Sequence, residues 1–438
     1  MELPAAFTSR TQALLGDEWP SFEQSLLETP PVSIRFNPAK RPIFPSECDA
    51  AVPWASHAYY LKERPVFTLD PLFHAGCYYV QEAASMFLEQ VVRAHLAEPA
   101  KVLDLCAAPG GKSTQLISVL PEGSLLVANE VIRSRAAVLG ENLLKWGDSC
   151  TILTNNDPTD FGRQGAFFDA IVADVPCSGE GMFRKDPAAI REWSLSHVQL
   201  CAERQRRIVA DVWPALKSGG LLIYSTCTYN REENEDNIQW ICKELGAEIV
   251  EEPHRLMPHR TRGEGFFIAA VRKTSSETRT KKPPKTQAHP RPASFPYSFL
   301  HSPQDWTILT HNQEFAAIPS LHESDYHSLS QHFKILSAGV PLGTIKGKDF
   351  VPAPALALSS ALDLPAFPVW ELNYTEAIRY LRKETFAEIP SALPKGIVLV
   401  AYQTVPLGFI KNIGTRANNL YPSEWRIRMS LQNDFPTI

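Results

Sequence analysis

The chain has 438 residues with a formal net charge of −5, and 44% of its residues are hydrophobic and 21% charged. Because single hydrophobic cores rarely grow beyond roughly 250–300 residues, this length predicts two or three domains, and the composition excludes a largely disordered chain. The eight cysteines form no C-x-x-C pair and no run of about 18 apolar residues occurs, so we expect no metal site, no disulfide framework and no membrane span, and a cytoplasmic location.

Residues 1–95 are predicted to form a small α+β lobe. They contain the strand-like SIRFNPAK at 33–40 and the segment GCYYVQEAASMFLEQVV at 76–92, which ends in an amphipathic helix. Residues 96–273 then alternate short β-rich runs with helical patterns, which is typical of a parallel sheet covered by helices on both faces. Seven such runs predict seven strands. The last of them, GFFIAAVRK, is expected to run antiparallel, because no obvious helix precedes it.

The remainder of the chain is predicted to hold a linker and a smaller module. Residues 274–296 are rich in Ser, Thr, Pro and Lys and show almost no apolar periodicity, which is typical of a linker. Residues 297–438 contain short strand-like pieces and a helical pattern around TEAIRYLRKE, which indicate a small half-open barrel or a similar module.

The first predicted strand of the sheet ends in a glycine-containing turn, CAAPGGK, before a helix. Such a turn lets backbone N–H groups approach a ligand at the helix N-terminus. A phosphate-binding P-loop would need glycine where this chain has Cys106, so we exclude a nucleoside triphosphatase. Glu130, which follows the second strand, is placed to bind the two hydroxyls of a ribose, and Asp157, after the third strand, to bind an adenine amino group.

The fourth and fifth strands run into DVPCSGEG and STCTYNREENE, so that Cys177 and Cys227 follow two strands of one sheet. Because the carboxyl ends of parallel strands meet at the same edge, both thiols should face one crevice beside the glycine-containing turn. A single cysteine is usually a small buried hydrophobe, but two in neighbouring polar turns favour chemistry.

Together, CAAPGGK, DVPCSG and STCTYNREENE resemble the motifs of the Sun/Fmu-type RNA 5-methylcytosine methyltransferases. The resemblance covers roughly residues 25–273. It implies an α/β fold, with a doubly wound, seven-stranded Rossmann-like sheet, a small N-terminal α+β lobe and a C-terminal PUA-like module. The implied cofactor is S-adenosylmethionine, and the implied substrate is RNA.

In that family the cysteine of the TC motif is the nucleophile, which implies this role for Cys227, whereas Cys177 would help to release the product. A thiolate that adds to carbon 6 of cytosine makes carbon 5 nucleophilic, and Asp174 would stabilise charge on the ring. The resemblance implies no metal. It assigns cofactor binding to the loop and to four acidic or basic side chains beyond it: Cys106, Ala107, Ala108, Pro109, Gly110, Gly111, Lys112, Glu130, Arg135, Asp157 and Asp174.

The lobe residues Arg35, Asn37 and Gln81 resemble RNA-facing positions of the family. The tail PLGFIKNIGTRANNLYPSEWRIR resembles the PUA-like module of the bacterial RsmF branch, whose members methylate small-subunit ribosomal RNA. It implies RNA contacts by five residues, and we expect the aromatic Tyr421 and Trp425 to pack the module's core. The five are Lys411, Arg416, Asn418, Arg426 and Arg428. The expected partner is small-subunit ribosomal RNA or the assembling subunit, bound by a monomer.

Two other functions stay open at this point. A DNA cytosine methyltransferase would use Cys177 as the nucleophile and would need a domain that flips the base out of the duplex. A non-catalytic RNA-binding factor of ribosome assembly would not need both thiols and an intact cofactor loop.

Overall fold

The computed structural model describes residues 2–40, 48–274, 297–311, 313–347 and 349–429. Within these ranges the chain forms a nine-stranded central sheet and three four-stranded sheets, one before it and two after it along the chain. The predicted linker lies outside the described residues, apart from residue 274. None of the helices in these ranges could cross a membrane, because none is both long and apolar enough.

The N-terminal lobe contains four helices and an antiparallel sheet of strand order β2-β3-β1-β4. Its helices are α1 (Ala5–Leu15), α2 (Trp19–Ser25), α3 (Pro71–His74) and α4 (Leu88–His95). Its strands are β1 (Val32–Phe36), β2 (Cys48–Ala51), β3 (Ala58–Leu61) and β4 (Tyr78–Val80).

The seven predicted strands of the central sheet are all present. They are β5 (Lys101–Asp104), β6 (Leu125–Asn129), β7 (Thr151–Thr154), β8 (Phe168–Asp174), β9 (Leu216–Thr226), β10 (Ala247–Ile249) and β12 (Phe266–Lys273). The first five run parallel, and β12 enters antiparallel between β9 and β10, as predicted. The sheet also includes β11 (His254–Leu256), which pairs with β12 and was not predicted.

Helices cover both faces of this sheet, so its central strands are buried on both sides and consist of nearly continuous apolar residues. The helices are α5 (Gly111–Val119), α6 (Arg133–Trp146), α7 (Pro158–Gln164), α8 (Pro187–Glu192), α9 (Leu195–Val212) and α10 (Glu235–Leu245). Asp174 of β8 pairs with Ser225 of β9, and this register sets the turns after the two strands side by side.

The C-terminal region forms two sheets, of strand order β13-β14-β16-β17 and β18-β19-β20-β21. Its strands are β13 (Trp306–His311), β14 (Glu314–Pro319), β15 (Ile335–Ala338), β16 (Val340–Lys346), β17 (Asp349–Pro352), β18 (Val369–Glu371), β19 (Gly396–Tyr402), β20 (Val405–Asn412) and β21 (Ala417–Asn419). Its helices are α11 (Glu323–Ser330), α12 (Pro354–Ala357) and α13 (Tyr374–Leu381).

This region shares hydrophobic cores with the rest of the chain. Strand β15 pairs antiparallel with β7 and becomes an edge of the central sheet, and Phe333 stacks on Phe161 with ring centroids 4.5 Å apart. The last sheet packs on the N-terminal lobe, where Ile34 of β1 and Ile410 of β20 belong to one core. The lobe, the central sheet and the C-terminal region therefore support one another.

Candidate active site

The turn between β5 and α5 forms the floor of a cleft at the carboxyl edge of the central sheet. Gly110 caps α5 with a φ of +116°, a conformation that favours glycine. The Ala108 carbonyl accepts a hydrogen bond from Arg135 at 2.9 Å, and the Pro109 carbonyl accepts one from Asn142 at 2.8 Å. Because α6 holds these carbonyls from behind, the turn keeps its shape while the start of α5 faces the cleft.

A cavity of about 580 Å³ beside this turn has hydrogen-bond acceptors that suit an adenosine-bearing cofactor, and its lining includes Cys106, Glu130 and Asp157. Glu130 is buried. Its Oε1 accepts from the Ile132 amide at 2.9 Å, whereas its buried Oε2 has no hydrogen-bond donor and lies 3.5 Å from the Arg135 guanidinium. An unsatisfied carboxylate oxygen at this strand end suits the hydroxyls of a ribose.

Asp157 caps the N-terminus of α7 on the far wall of the same cavity. Its Oδ1 accepts hydrogen bonds from the Thr159 amide and hydroxyl, and these bonds lower the pKa of the Asp157 carboxyl. The side chain is thus ionised and fixed, which suits recognition of an amino group.

The two predicted cysteines lie in contact, with Sγ atoms of Cys177 and Cys227 3.1 Å apart. Both thiols are free and half-buried. The hydrogen bond to Cys227, together with burial, raises the pKa of the Cys177 thiol well above its usual value. The Cys177 thiol can therefore donate a hydrogen bond to the Cys227 sulfur.

Asp174 stands between the cysteines and the cofactor turn. Its two oxygens accept hydrogen bonds from Lys112 at 2.9 Å and from the Ser225 hydroxyl at 2.8 Å. Burial lowers the pKa of Lys112, but the ion pair with Asp174 outweighs it and the pKa is raised overall. A second cavity, of about 210 Å³, is lined by Cys106, Lys112, Asp174, Tyr79 and Gln81, so it connects the turn to the N-terminal lobe.

Asp104, the last residue of β5, is a buried acid that the sequence analysis did not single out. Its Oδ2 accepts a hydrogen bond from Ser113 at 2.6 Å, and its Oδ1 is buried without a donor. Burial raises the pKa of Asp104 to about 7, and the negative charge of Asp174 adds to the effect.

We expect Asp104 to make folding stability depend on pH. Because its pKa is higher in the folded than in the unfolded chain, its contribution is full below pH 4 and is lost as the pH rises through about 7. Between pH 5 and pH 8, the wild type should lose about 2 kcal/mol of unfolding free energy that Asp104→Asn does not lose. Urea unfolding at the two pH values, without cofactor, measures this difference. An equal difference at both pH values would contradict this expectation.

The structure corrects two of the predicted RNA contacts in the N-terminal lobe. Arg35 is only 2% exposed and stacks over Trp146 at 4.7 Å, and Asn37 is 1% exposed. Arg35 donates to Thr114 Oγ1 at 2.7 Å and to Gln81 Oε1 at 3.0 Å, and Asn37 donates to the Trp146 carbonyl at 2.9 Å. Their polar atoms join the lobe to α5 and α6, so direct RNA contact was the wrong role for Arg35 and Asn37.

Arg35 should instead stabilise the fold and the cofactor turn, since its guanidinium also donates to the carbonyls of Gly111 and Thr114 in α5. We expect Arg35→Met to lower the free energy of unfolding by about 2–4 kcal/mol and to weaken cofactor binding, as measured by urea titration and calorimetry. The exposed Arg163 forms an ion pair with Asp160 at the surface, and Arg163→Met should cost less than about 1 kcal/mol. Loss of RNA affinity with unchanged stability would contradict this role.

The predicted RNA contacts of the C-terminal region differ in their surroundings. Arg416, Arg426 and Arg428 are exposed, whereas Lys411 is half-buried and forms an ion pair with Asp349 at 2.8 Å. The aromatic residues pack as expected. Tyr421 is fully buried against Tyr380, and Trp425 lies against Tyr421.

The site also contains two buried glutamates that sequence reasoning missed. Glu180 lies three residues after Cys177, and Glu233 lies six residues after Cys227. Each carboxylate accepts hydrogen bonds from the other cysteine's turn. Glu233 lies in the acid-rich REENE, whereas Glu180 is the single acid of GEG and has no comparable signal.

Known proteins similar to this chain are ribosomal RNA methyltransferases, and the matches extend along most of the chain. Residues 92–272 match a family model described as 16S rRNA methyltransferase RsmB/F, residues 3–83 match the N-terminal domain of 16S rRNA methyltransferase RsmF, and residues 367–427 match the methyltransferase RsmF PUA domain. The chain is 32% identical over 426 residues to ribosomal RNA small subunit methyltransferase F of Shewanella frigidimarina, covering 85% of each chain. It is 30% identical to the protein of that name from Erwinia tasmaniensis, covering 85% of this chain and 84% of that one.

Solved structures agree in fold. A methyltransferase homolog from Pyrococcus horikoshii superimposes with a TM-score of 0.53 at 27% identity, covering 61% of this chain and 94% of that one. NSun6 from Pyrococcus horikoshii, solved with SFG, gives a TM-score of 0.52 at 19% identity, covering 62% of this chain and 98% of that one, and supports the fold alone.

Proposed function

The chain belongs to the RsmB/F family of 16S rRNA methyltransferases, and on that premise we propose that it methylates carbon 5 of a cytosine in small-subunit ribosomal RNA through a covalent bond to Cys227. It is an S-adenosylmethionine-dependent methyltransferase. The observation that carries the covalent mechanism is the 3.1 Å contact between the sulfurs of Cys177 and Cys227 at the edge of the cofactor cleft.

Cys227 is the proposed nucleophile, and two neighbouring side chains lie within reach of its sulfur. Cys177 retains its proton and can donate a hydrogen bond to the Cys227 sulfur, and the Lys112 ammonium lies within electrostatic reach of it. The Cys227 thiolate bonds to carbon 6 of the ring, which makes carbon 5 nucleophilic. Once carbon 5 has been methylated and has lost its proton, the bond between Cys227 and carbon 6 breaks and the thiolate leaves.

The cofactor supplies an electrophilic methyl group when it is bound. Glu130 would hold its ribose, Asp157 its adenine and the turn of residues 106–112 its remainder, because these groups line the two cavities that share Cys106. Asp174 would stabilise charge on the pyrimidine, and its bonds to Lys112 and Ser225 hold the carboxylate in place for that role.

The family and the site favour this function over the two alternatives. The relatives named above are ribosomal RNA methyltransferases, which argues against a DNA substrate. A binding factor without catalysis would not explain two half-buried thiols in contact beside a cofactor cleft.

We expect the enzyme to act as a monomer in the cytoplasm, and light scattering after gel filtration should give the mass of one chain.

The function can be tested with labelled S-adenosylmethionine and ribosomal RNA from a strain that lacks the gene. Small-subunit RNA or assembling subunits should accept the label, and bisulfite sequencing should locate one 5-methylcytosine that the wild-type strain also carries. Large-subunit RNA and duplex DNA of equal length serve as controls. Label in DNA, or label on a base other than cytosine, would contradict the proposal.

The exposed arginines in the turn before β21 and in the segment after it should contribute to RNA affinity. We expect the triple variant Arg416→Gln, Arg426→Gln and Arg428→Gln to bind RNA more weakly at every sequence and to reduce the slope of log affinity against log salt by up to about 3. Arg163→Gln, at an exposed arginine of α7, is the matched control. An unchanged salt slope would remove these three residues from the RNA contact.

A further inference from the structure

Glu180 is the most heavily hydrogen-bonded carboxylate near the two sulfurs, although it touches neither. The side chain is 1% exposed. Its Oε2 accepts hydrogen bonds from Thr228 Oγ1 at 2.7 Å, from the Tyr229 amide at 2.8 Å and from the Asn230 amide at 3.0 Å. These are the three residues that directly follow Cys227, so one oxygen atom fixes the path of the chain after that cysteine.

The next residue, Gly181, holds Cys227 from the other side. Its amide donates to the Cys227 carbonyl at 2.8 Å. A Cβ atom at this position would lie 2.6 Å from that carbonyl oxygen and 2.9 Å from the Gly265 carbonyl oxygen, so only glycine allows such an approach. The pair Glu180 and Gly181 thus binds the backbone of Cys227 and of the residues after it, and both belong to the turn that carries Cys177.

The turn of Cys227 binds back to the turn of Cys177 in the same manner. Glu233 accepts a hydrogen bond from the Ser178 amide at 2.9 Å, and the Ser178 hydroxyl lies 3.0 Å from the Thr228 hydroxyl. The two turns are therefore crosslinked by hydrogen bonds in both directions. A change at one cysteine's turn must move the other.

We infer that Glu180 is a positioning residue that holds the sulfurs of Cys177 and Cys227 in contact, so that both can act on one pyrimidine ring. Its importance for catalysis rests on the proposed function, in which Cys227 bonds to the ring and Cys177 assists release. Displacements of about 1 Å in a reacting group can cost about 10²-fold in rate, so the spacing needs a dedicated support. Glu180 provides it without contacting the substrate.

Glu180→Gln tests this inference with little change in shape. The other carboxylate oxygen, Oε1, accepts from the Trp193 indole N–H at 3.0 Å. The amide of glutamine must place its NH₂ group against either this N–H or the backbone N–H groups of Tyr229 and Asn230. In both orientations donor faces donor, so the turn after Cys227 should shift.

The spacing of the sulfurs can be measured without RNA. In a buffer of oxidised and reduced dithiothreitol, the two thiols lose two electrons and two protons to the oxidised reagent and form a disulfide. Mass spectrometry of the peptides that contain Cys177 and Cys227 then measures the ratio of disulfide to free thiols. This ratio gives the effective concentration of the Cys177 thiol at the Cys227 thiol. We expect Glu180→Gln to lower it at least 10-fold, while the dissociation constant for S-adenosylmethionine stays within about threefold of the wild type.

Two controls separate positioning from general destabilisation. Glu89→Gln alters another buried glutamate, which accepts a hydrogen bond from the Ser56 amide in the N-terminal lobe, and should leave the effective concentration unchanged. Trp193→Phe removes the hydrogen-bond donor to Glu180 Oε1 but none of the bonds to the Cys227 turn. It should change the effective concentration of the thiols less than twofold. If Glu180→Gln does not fold, Thr228→Val, which removes one of the three bonds, should lower it about threefold.

With RNA, Glu180→Gln should lower kcat about 10- to 100-fold and leave KM for RNA unchanged. The inference is overturned if the effective concentration in Glu180→Gln stays within twofold of the wild type, or if Glu89→Gln lowers it equally. If the thiol measurement gives the expected result but no RNA is methylated, the proposed function fails while the positioning of the sulfurs by Glu180 stands.

Discussion

Replacing Cys227 by alanine is expected to lower the rate of RNA methylation by about 10⁴-fold or more and to abolish the covalent complex with RNA. Without the sulfur at this position, carbon 5 of cytosine stays a poor nucleophile, because no other group bonds to carbon 6. Binding of S-adenosylmethionine should be unchanged, since the groups expected to hold it lie in the turn of residues 106–112, at Glu130 and at Asp157.

The measurement uses small-subunit RNA that contains 5-fluorocytosine. Fluorine at carbon 5 prevents the loss of a proton there, so the bond between Cys227 and carbon 6 should persist through denaturing electrophoresis of the wild type. Peptide mapping of the adduct identifies the attached cysteine. If Cys227→Ala still forms the adduct and Cys177→Ala does not, the two roles are reversed and the chemistry is that of the DNA-type alternative.

Cys177→Ala should produce the opposite behaviour. We expect turnover to fall by about 10²- to 10⁴-fold while a covalent complex accumulates on ordinary, unfluorinated RNA, because the Cys227–RNA bond forms but no longer breaks efficiently. The geometry supports this outcome, since the Cys177 thiol lies 3.1 Å from the Cys227 sulfur and retains its proton.

Denaturing electrophoresis of the two alanine variants with ordinary RNA distinguishes them directly. Only Cys177→Ala should show a slowly migrating band, and the double variant should show none. A Cys177→Ala enzyme that turns over at the wild-type rate would exclude a part for this thiol in product release. The control variant Cys201→Ala alters a buried cysteine of α9 outside the two turns and should behave as the wild type.

The catalytic half of the fold could be predicted because its signals are local. Each strand of the parallel sheet is a short apolar run followed by a polar turn, so the positions of Glu130, Asp174 and Cys227 at strand ends follow from the pattern itself. The contact between the sulfurs also follows, because β8 and β9 are neighbours and Asp174 pairs with Ser225. Residues that follow neighbouring parallel strands lie close together at the carboxyl edge of the sheet, even when they are far apart in the sequence.

Other features depend on partners far along the chain and have no local signal. Arg35 has the charge of a surface residue, but Trp146 and α5 enclose it. No pattern near residue 35 in the sequence predicts these contacts. Glu180 and Glu233 resemble solvent-exposed acids for the same reason. Four residues of modest β-propensity, at 335–338, gave no indication that they would join a strand about 180 positions earlier.

That late pairing bears on how the protein matures during translation. The β7 edge of the central sheet remains open until the ribosome has released residue 338 from its exit tunnel, although both cysteines of the proposed mechanism have been synthesised by residue 227. During this interval the nascent chain exposes the backbone of β7 and the ring of Phe161, which Phe333 later covers, so it offers an aggregation-prone edge to other chains. The enzyme thus completes its methyltransferase sheet only when the first strands of its C-terminal region have also been made.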